Sequence, residues 1–445
     1  MANHCGGPAA VQTRRGASRE EQVSIYVNFR CVVHALSDAL DLVGINDVHH
    51  GKRVGIMCSD ILGSLGGSEA EQAMVFDAGL LHDIGVSSSD LHRQLVEEFD
   101  WEGAQAHAEF GAHILGEFPP LAHLAAPIRL HHRHWSELRH AYDRTALIGN
   151  LIFLADRIDV LAAVAMLQGS LLDEVPAIRE HVAAQAGEMF DPELVETFLE
   201  VSRKDAFWLA LEPEAVRDRM EELARDAPRS LADMATLRGV ASLFSHVVDA
   251  KSRFTVEHSE GVARLARYLA AGHGLDEESS DKLEIAGYLH DLGKLRVPDA
   301  LLDKPGPLNE HERRQVASHA YETYRILSRI PGMEDIAHWA AFHHEIPNGE
   351  GYPFRLKGDE LPLAARLLRA ADIFQALVQE RPYRCALPAR QVLEHMARLT
   401  ENGLLDRPIL DFLAAHLADA YQLANAHAQS HVESHAESGG IPENT

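Results

Sequence analysis

Apolar residues along this chain recur with the period of a helix far more often than with that of a strand. Val316, Ala320, Tyr324 and Leu327 stand at i, i+4, i+8 and i+11, one helical face, and His319 lies beside that stripe. Ile336, Trp339, Ala340 and His343 follow i, i+3, i+4 and i+7, and Asp372 comes four residues after Leu368 in a stretch rich in Ala and Leu. Few segments alternate with period two, so there is little case for a sheet. Abundant Ala, Leu, Glu and Arg, with aromatics at only 6%, point the same way. The pattern predicts an all-α protein built from helical bundles. Polar residues beside the apolar stripes would sit at the bundle centre, where such folds hold metals.

The pattern also divides the chain. Residues 1–20 are polar and without periodicity, and helical patterning runs over 21–211. Residues 212–239 are charged and helix-forming, a connecting helix with a break near Pro228. A second patterned region covers 240–424, and a polar tail, 425–445, carries His427, His431 and His435 at intervals of four, expected as a solvated end. At 445 residues each unit is long enough to bury its own core.

Two histidine–aspartate sets recur across that division. The first is His50, His82-Asp83, His107, His131-His132 and Asp156; the second is His258, His290-Asp291, His319, His343-His344 and Asp372. The offsets are 208, 208, 212, 212 and 216, so the repeat needs only two four-residue length changes. A single such histidine is usually a core or surface residue. Seven positions in order, present twice, point to metal. Imidazole and carboxylate together suit a pair of divalent first-row ions holding a reactive water. In the second half, His258, His290, Asp291 and Asp372 would take one ion, and Asp291, His319, His343 and His344 the other, with Asp291 bridging.

The formal net charge of −26 argues against general affinity for DNA, RNA or anionic membranes, though not against an anionic substrate at a local metal pair. Cys5, Cys31, Cys58 and Cys385 show no CxxC spacing, which fits a reducing cytoplasm. The most apolar stretch, 146–167, is broken by Asn150, Asp156, Arg157 and Asp159, and the N-terminus lacks an apolar signal core. A soluble cytoplasmic protein is expected.

Four segments of the second half, HDLGKLRVPD (290–299), LDKPGPLNEHE (302–312), HHEIPNGEGYP (343–353) and AADIFQALVQERPYR (370–384), closely resemble the HD-GYP branch of the HD phosphohydrolases. The resemblance implies two tandem HD-type helical bundles joined by a helical linker, the second being the catalytic one. It implies a centre of two or three metals, usually iron or manganese, no organic cofactor, and hydrolysis of a cyclic dinucleotide to the linear 5′-phosphorylated product. Cyclic di-GMP is the family's usual substrate, and 3′3′-cyclic GMP-AMP is preferred by some members with a duplicated HD domain. It assigns Asp291 and Lys294 to catalysis, and Lys294, Gly351, Tyr352, Pro353, Arg381 and Arg384 to substrate binding. A homodimer and a protein partner at the GYP loop are further expectations.

The sequence departs from the family pattern in places. Phe254 stands where three-metal members carry an acidic residue and Glu257 would project elsewhere, so two metals are expected; Asn348 replaces an aspartate, a change expected to affect loop packing rather than ligation. The first half lacks the accessories: Val86 takes the place of Lys294, HHRHWSEL has no GYP, and nothing like RPYR follows Asp156. A regulatory or dimerising domain, metal-competent but weak on dinucleotides, is expected there. The extra histidines His34, His49, His134 and His140 are expected mostly at the surface. The alternative to an enzyme is a catalytically silent dinucleotide receptor, or a metal or oxygen sensor. Intact Lys294 and a complete ligand set speak against it. A nucleotide phosphatase of the wider HD type is a weaker third reading, because those proteins lack GYP and RPYR.

Overall fold

A computed structural model of the chain describes residues 28–43, 49–86, 88–226, 232–251, 258–379 and 385–426. Arg381, Pro382, Arg384, Pro228, Phe254, Glu257, His427, His431 and His435 lie outside the described residues. Among the described residues helices dominate and no strand forms; β pairing is confined to isolated bridges such as Ala186–Phe190 and Asn348–Lys357. The all-α expectation is met, with one bundle in each half.

The sequence repeat is a repeat of helices. Phe29–Leu40, His50–Ser64, Glu69–Leu81, Gln105–Gly116, Ala125–Leu130 and Arg144–Gln168 follow in the order of Met234–Ala250, His258–Gly272, Glu277–Leu289, Glu310–Leu327, Glu334–Ala341 and Leu363–Val378. Local chemistry sets their starts. Ser68 and Glu71 form a capping box, as do Asn309 and Glu312, while Asp143 accepts from the Ala146 N–H and Asp276 from the Ser279 N–H. Gly169, at φ +68°, ends the long helix Arg144–Gln168 in the left-handed conformation that glycine adopts without strain. The first half adds Leu171–Ala183, Pro192–Val201 and Asp205–Leu209, whose Phe198, Phe207 and Trp208 pack edge-on in a local aromatic core.

The helix Met234–Ala250 runs through positions 239 and 240 without interruption, as the counterpart of Phe29–Leu40. The two halves also touch. Asp299 accepts from the backbone N–H of Ser89 at 2.7 Å and pairs at 2.9 Å with Lys251, whose side chain is fully buried. Arg329 reaches Asp38 of the first half at 2.6 Å. Of the four extra histidines, His34 is buried, edge-on to Phe76, because its helix turns that face to the core; His49, His134 and His140 are at least partly exposed.

Candidate metal centres

Each half gathers all seven of its His/Asp residues at one point. In the second half His258 is the first residue of its helix, His319 sits mid-helix, and Asp372 lies inside Leu363–Val378. The two tandem pairs differ from the helical-face expectation. His290-Asp291 follows the end of Glu277–Leu289, and His343-His344 follows the end of Glu334–Ala341. Adjacent residues on a helix point about 100° apart. Leaving the helix lets both members of a pair face one centre.

The ligand atoms fall into two sets joined by Asp291. His258, His290 and Asp372 place their donor atoms within 4.8 Å of one another, and so do His319, His343 and His344. Asp291 turns Oδ2 to His290 Nε2 at 3.2 Å and Oδ1 to His319 Nε2 at 3.4 Å. His258 Nε2 lies 3.2 Å from Asp372 Oδ1. The Nδ1 atoms of His290, His319 and His343 donate to the carbonyls of Gly287, Val316 and Ala340 at 2.8, 2.7 and 2.6 Å, which leaves each Nε2 lone pair facing the centre.

The first half repeats this plan. Asp83 approaches His107 Nε2 at 3.2 Å and His82 Nε2 at 3.4 Å, and Asp156 approaches His50 Nε2 at 3.4 Å. His82 and His131 donate Nδ1 to Gly79 and Ile128 at 2.8 and 2.6 Å. His107, His131 and His132 form a second triad. One pair of glycines explains part of the match. A Cβ on Gly85 would stand 2.0 Å from the His107 carbonyl oxygen, and one on Gly293 2.1 Å from that of His319. No side chain fits where the turn after each His-Asp pair crosses the next ligand helix.

Burial and neighbouring charge prepare the second-half ligands for a cation. Burial drives the His319 imidazole down to about 4 and that of His343 to about 3, so both are neutral donors. Burial also holds His344 well below its ordinary value. For His290 burial pulls downward, but the Asp291 and Asp372 carboxylates outweigh it and raise the ring to about 9. Burial opposes ionisation of Asp291 and Asp372 too, yet His290 and Lys294 hold the first, and His258 and His290 the second, well below the usual carboxylate range. The neutral His319, His343 and His344 rings and the ionised carboxylates are in the forms that bind metal, while His290 gives up a proton to do so. The buried atoms His290 Nε2 and Asp291 Oδ1 have no hydrogen-bond partner, and in the first half neither does His132 Nε2. Such atoms are costly to bury unpaired, and a metal would satisfy them. The donor set fits divalent ions.

The accessory residues differ between the halves. Lys294 forms an ion pair with Asp291, while Val86, in the same turn of the first half, is buried and apolar. The Tyr352 ring lies 4.7 Å from that of His344, and Gly351 presses against the backbone of Glu345, 2.5 Å from its Cα to an added Cβ. Pro353 follows in the same loop. Asn348 accepts from the Glu350 N–H at 2.8 Å, a local turn contact.

Several supporting residues escape a reading of the sequence. Buried Glu345 accepts from the N–H groups of Phe354, Arg355 and Leu356 at 2.6, 3.0 and 3.0 Å and so fixes the GYP loop. Asp249 accepts from the N–H of Ser259 at 3.2 Å and from its hydroxyl at 2.8 Å, tying down the helix end that carries His258. Asp41 accepts from the His49 N–H at 3.1 Å beside His50. Positions 41 and 249 are 208 apart, the offset of the ligands themselves, and that was the available signal.

Comparison with known proteins finds an HD domain in each half. HD domain models match residues 48–161 and 242–409. The chain is 34% identical over 412 residues to a 3′3′-cGAMP-specific phosphodiesterase 1 of Vibrio cholerae, covering 90% of this chain and 95% of that protein. It is 34% identical over 182 residues to a cyclic di-GMP phosphodiesterase response regulator of Xanthomonas campestris, 40% of this chain and 47% of the relative. The crystal structure of a cyclic GMP-AMP specific phosphodiesterase of Vibrio cholerae matches with a TM-score of 0.59 and 27% identity, over 88% of this chain and 98% of that one.

Proposed function

The chain belongs to the HD-domain cyclic dinucleotide phosphodiesterases, and from that premise we propose that it opens the ring of 3′3′-cyclic GMP-AMP in preference to cyclic di-GMP. The observation that carries the preference is extent. Likeness to a 3′3′-cGAMP-specific enzyme runs through both HD domains, over 90% of the chain, whereas likeness to the cyclic di-GMP enzyme of Xanthomonas spans 40%. A hydrolysed phosphodiester gives the linear dinucleotide with a 5′-phosphate. A silent receptor or sensor is not favoured.

Region 240–424 is read as the catalytic domain, and 21–211, joined to it through 212–239, as the regulatory one. His258, His290, Asp291, Asp372, His319, His343 and His344 would hold two divalent ions, iron or manganese, with Asp291 shared. When bound, such a pair lowers the pKa of water and stabilises charge at phosphorus. The protein's own groups do the rest. Lys294, partly exposed and now resting on Asp291, is free to turn to a phosphate oxygen once the carboxylate has a stronger partner. Arg381 and Arg384 are assigned to the substrate's phosphates by the motif they form. Glu345 fixes the loop of Gly351, Tyr352 and Pro353, with Tyr352 beside the His344 ring and Gly351 against the His344–Glu345 backbone. In the first half His50, His82, Asp83, His107, His131, His132 and Asp156 would form a second metal set without Lys294's counterpart. No helix among the described residues is long and apolar enough to cross a membrane, which supports a cytoplasmic place for the enzyme.

The test is turnover. Protein purified without oxygen, loaded separately with Mn and Fe, is offered 3′3′-cyclic GMP-AMP and cyclic di-GMP, with His290→Ala/Asp291→Ala as control. Linear product chiefly from the mixed dinucleotide, lost in the control, is expected. Faster turnover of cyclic di-GMP overturns the preference, and tight binding without product overturns the enzyme.

A further inference from the structure

We infer that the two centres hold metal with unequal grip, and that Asp159, anchored by Arg53, makes the first-half centre the tighter one. The inference rests on the reading that both His/Asp sets bind divalent ions.

His50 donates Nδ1–H to Asp159 Oδ2 at 2.7 Å. Asp159 is held from behind by Arg53, whose Nε reaches Oδ1 at 2.6 Å and whose terminal nitrogen reaches Oδ2 at 2.7 Å, and both side chains are buried. A bidentate guanidinium leaves the carboxylate one orientation. A second arginine sets a second ligand. Arg157 donates to Asp156 Oδ2 at 2.8 and 3.2 Å, and is itself fixed by the carbonyls of Leu95, Glu98 and Phe99 at 3.0, 3.2 and 3.2 Å. Asp156 Oδ1 is left toward His50 and His82. Two ligands are thus aimed before any ion arrives.

Among the described residues the second half shows a different support. His258 Nδ1 meets the neutral amide oxygen of Gln379 at 2.9 Å, on the residue just past its helix. Ile373 stands beside Asp372 where Arg157 stands beside Asp156. By the repeat, Gly261 (53 + 208) replaces Arg53 and Gln375 (159 + 216) replaces Asp159. A Cβ on Gly261 would come within 2.3 Å of the Gln375 side chain, so here the amide occupies the space that the ion pair fills in the first half. A carboxylate behind a ligating histidine fixes its tautomer and raises its basicity, and losing one costs about 10- to 100-fold in metal affinity. Asp159 is a positioning residue for the metal, with no need to touch it.

The experiment uses the full chain stripped with a chelator and titrated with Co(II), followed by absorption and calorimetry. In protein with His290→Ala/Asp291→Ala and with His319→Ala/His343→Ala, which breaks both second-half groups, adding Asp159→Asn should weaken Co(II) binding about 10- to 100-fold and shift the Co(II) bands, with the metal-free melting point changed far less. Conversely, Gln379→Glu in His82→Ala/Asp83→Ala protein should tighten the second-half set. This arm carries the test if Asp159→Asn does not fold. Unchanged affinity and spectrum in folded Asp159→Asn protein, or no gain from Gln379→Glu, overturns the inference. Folded His290→Ala/Asp291→Ala protein that binds no Co(II) at all would instead remove the metal reading of the first half, and the inference with it.

Discussion

Asp83 and Asp291 occupy corresponding points of the two repeats, and the turns that follow them are alike: the N–H of Val86 and that of Lys294 each donate to the aspartate carbonyl at 2.8 Å. The side chains of those turns are not alike. One half puts a cation on its shared carboxylate, and the other puts a buried methyl pair beside it. Behind the ligands the contrast reverses. The first half backs His50 with Asp159, itself held by Arg53, and Asp156 with Arg157, while in the second the described partner of His258 is an amide. Equal ligand sets therefore do not mean equal centres. One has groups suited to handling a phosphate, the other to keeping an ion.

That contrast can be attacked at its strongest point first. Asp291→Ala removes the carboxylate placed between the His258/His290/Asp372 group and the His319/His343/His344 group, and linear product measured by chromatography should fall to background. Asp83→Ala should lower metal content by elemental analysis while product formation persists; equal loss from both variants would erase the distinction between the halves. Lys294→Val copies the first half into the second. Losing one preorganised donor of this kind costs about 10²- to 10³-fold in kcat, with bound metal unchanged. Asp299→Asn acts between the halves. It leaves buried Lys251 without its partner, and unfolding in urea should show a loss of about 3 kcal/mol. The smallest effect is expected from Asp249→Ala, which frees a helix end for about 1 kcal/mol and loosens His258 enough to weaken metal binding.

Much of this was legible in the sequence, for a physical reason. Residues that face one point are constrained in spacing, so His50 to Asp156 and His258 to Asp372 share their order and, apart from two four-residue length changes, their intervals. Gly85 and Gly293 kept theirs because a carbonyl oxygen leaves no space for a side chain. Helix ends were less legible: the apolar stripe through Ile336 and Ala340 continues to His343, but the helix stops at Ala341, since period alone does not reveal that two neighbours must face one ion. The residues behind the ligands were the least legible. Asp159 and Gln379 do the same task at positions that do not correspond, because a hydrogen bond to Nδ1 can be delivered from any nearby backbone. Asp249 matched Asp41 at the common offset, but one more aspartate in an acidic chain carries little information alone.

The contact of Ser89 with Asp299 and Lys251 has a practical consequence for anyone who would study the halves apart. The seam is made by the segments that leave each His-Asp turn, so cutting the gene between the repeats does not separate two finished proteins. A fragment spanning 240–424 would bare an ion pair folded to be dry, and would lose the Phe29–Leu40 helix that lies against Glu310–Leu327, the helix of His319. Rates measured on such a fragment would describe a wounded catalyst, and silence from it would say nothing about the intact one.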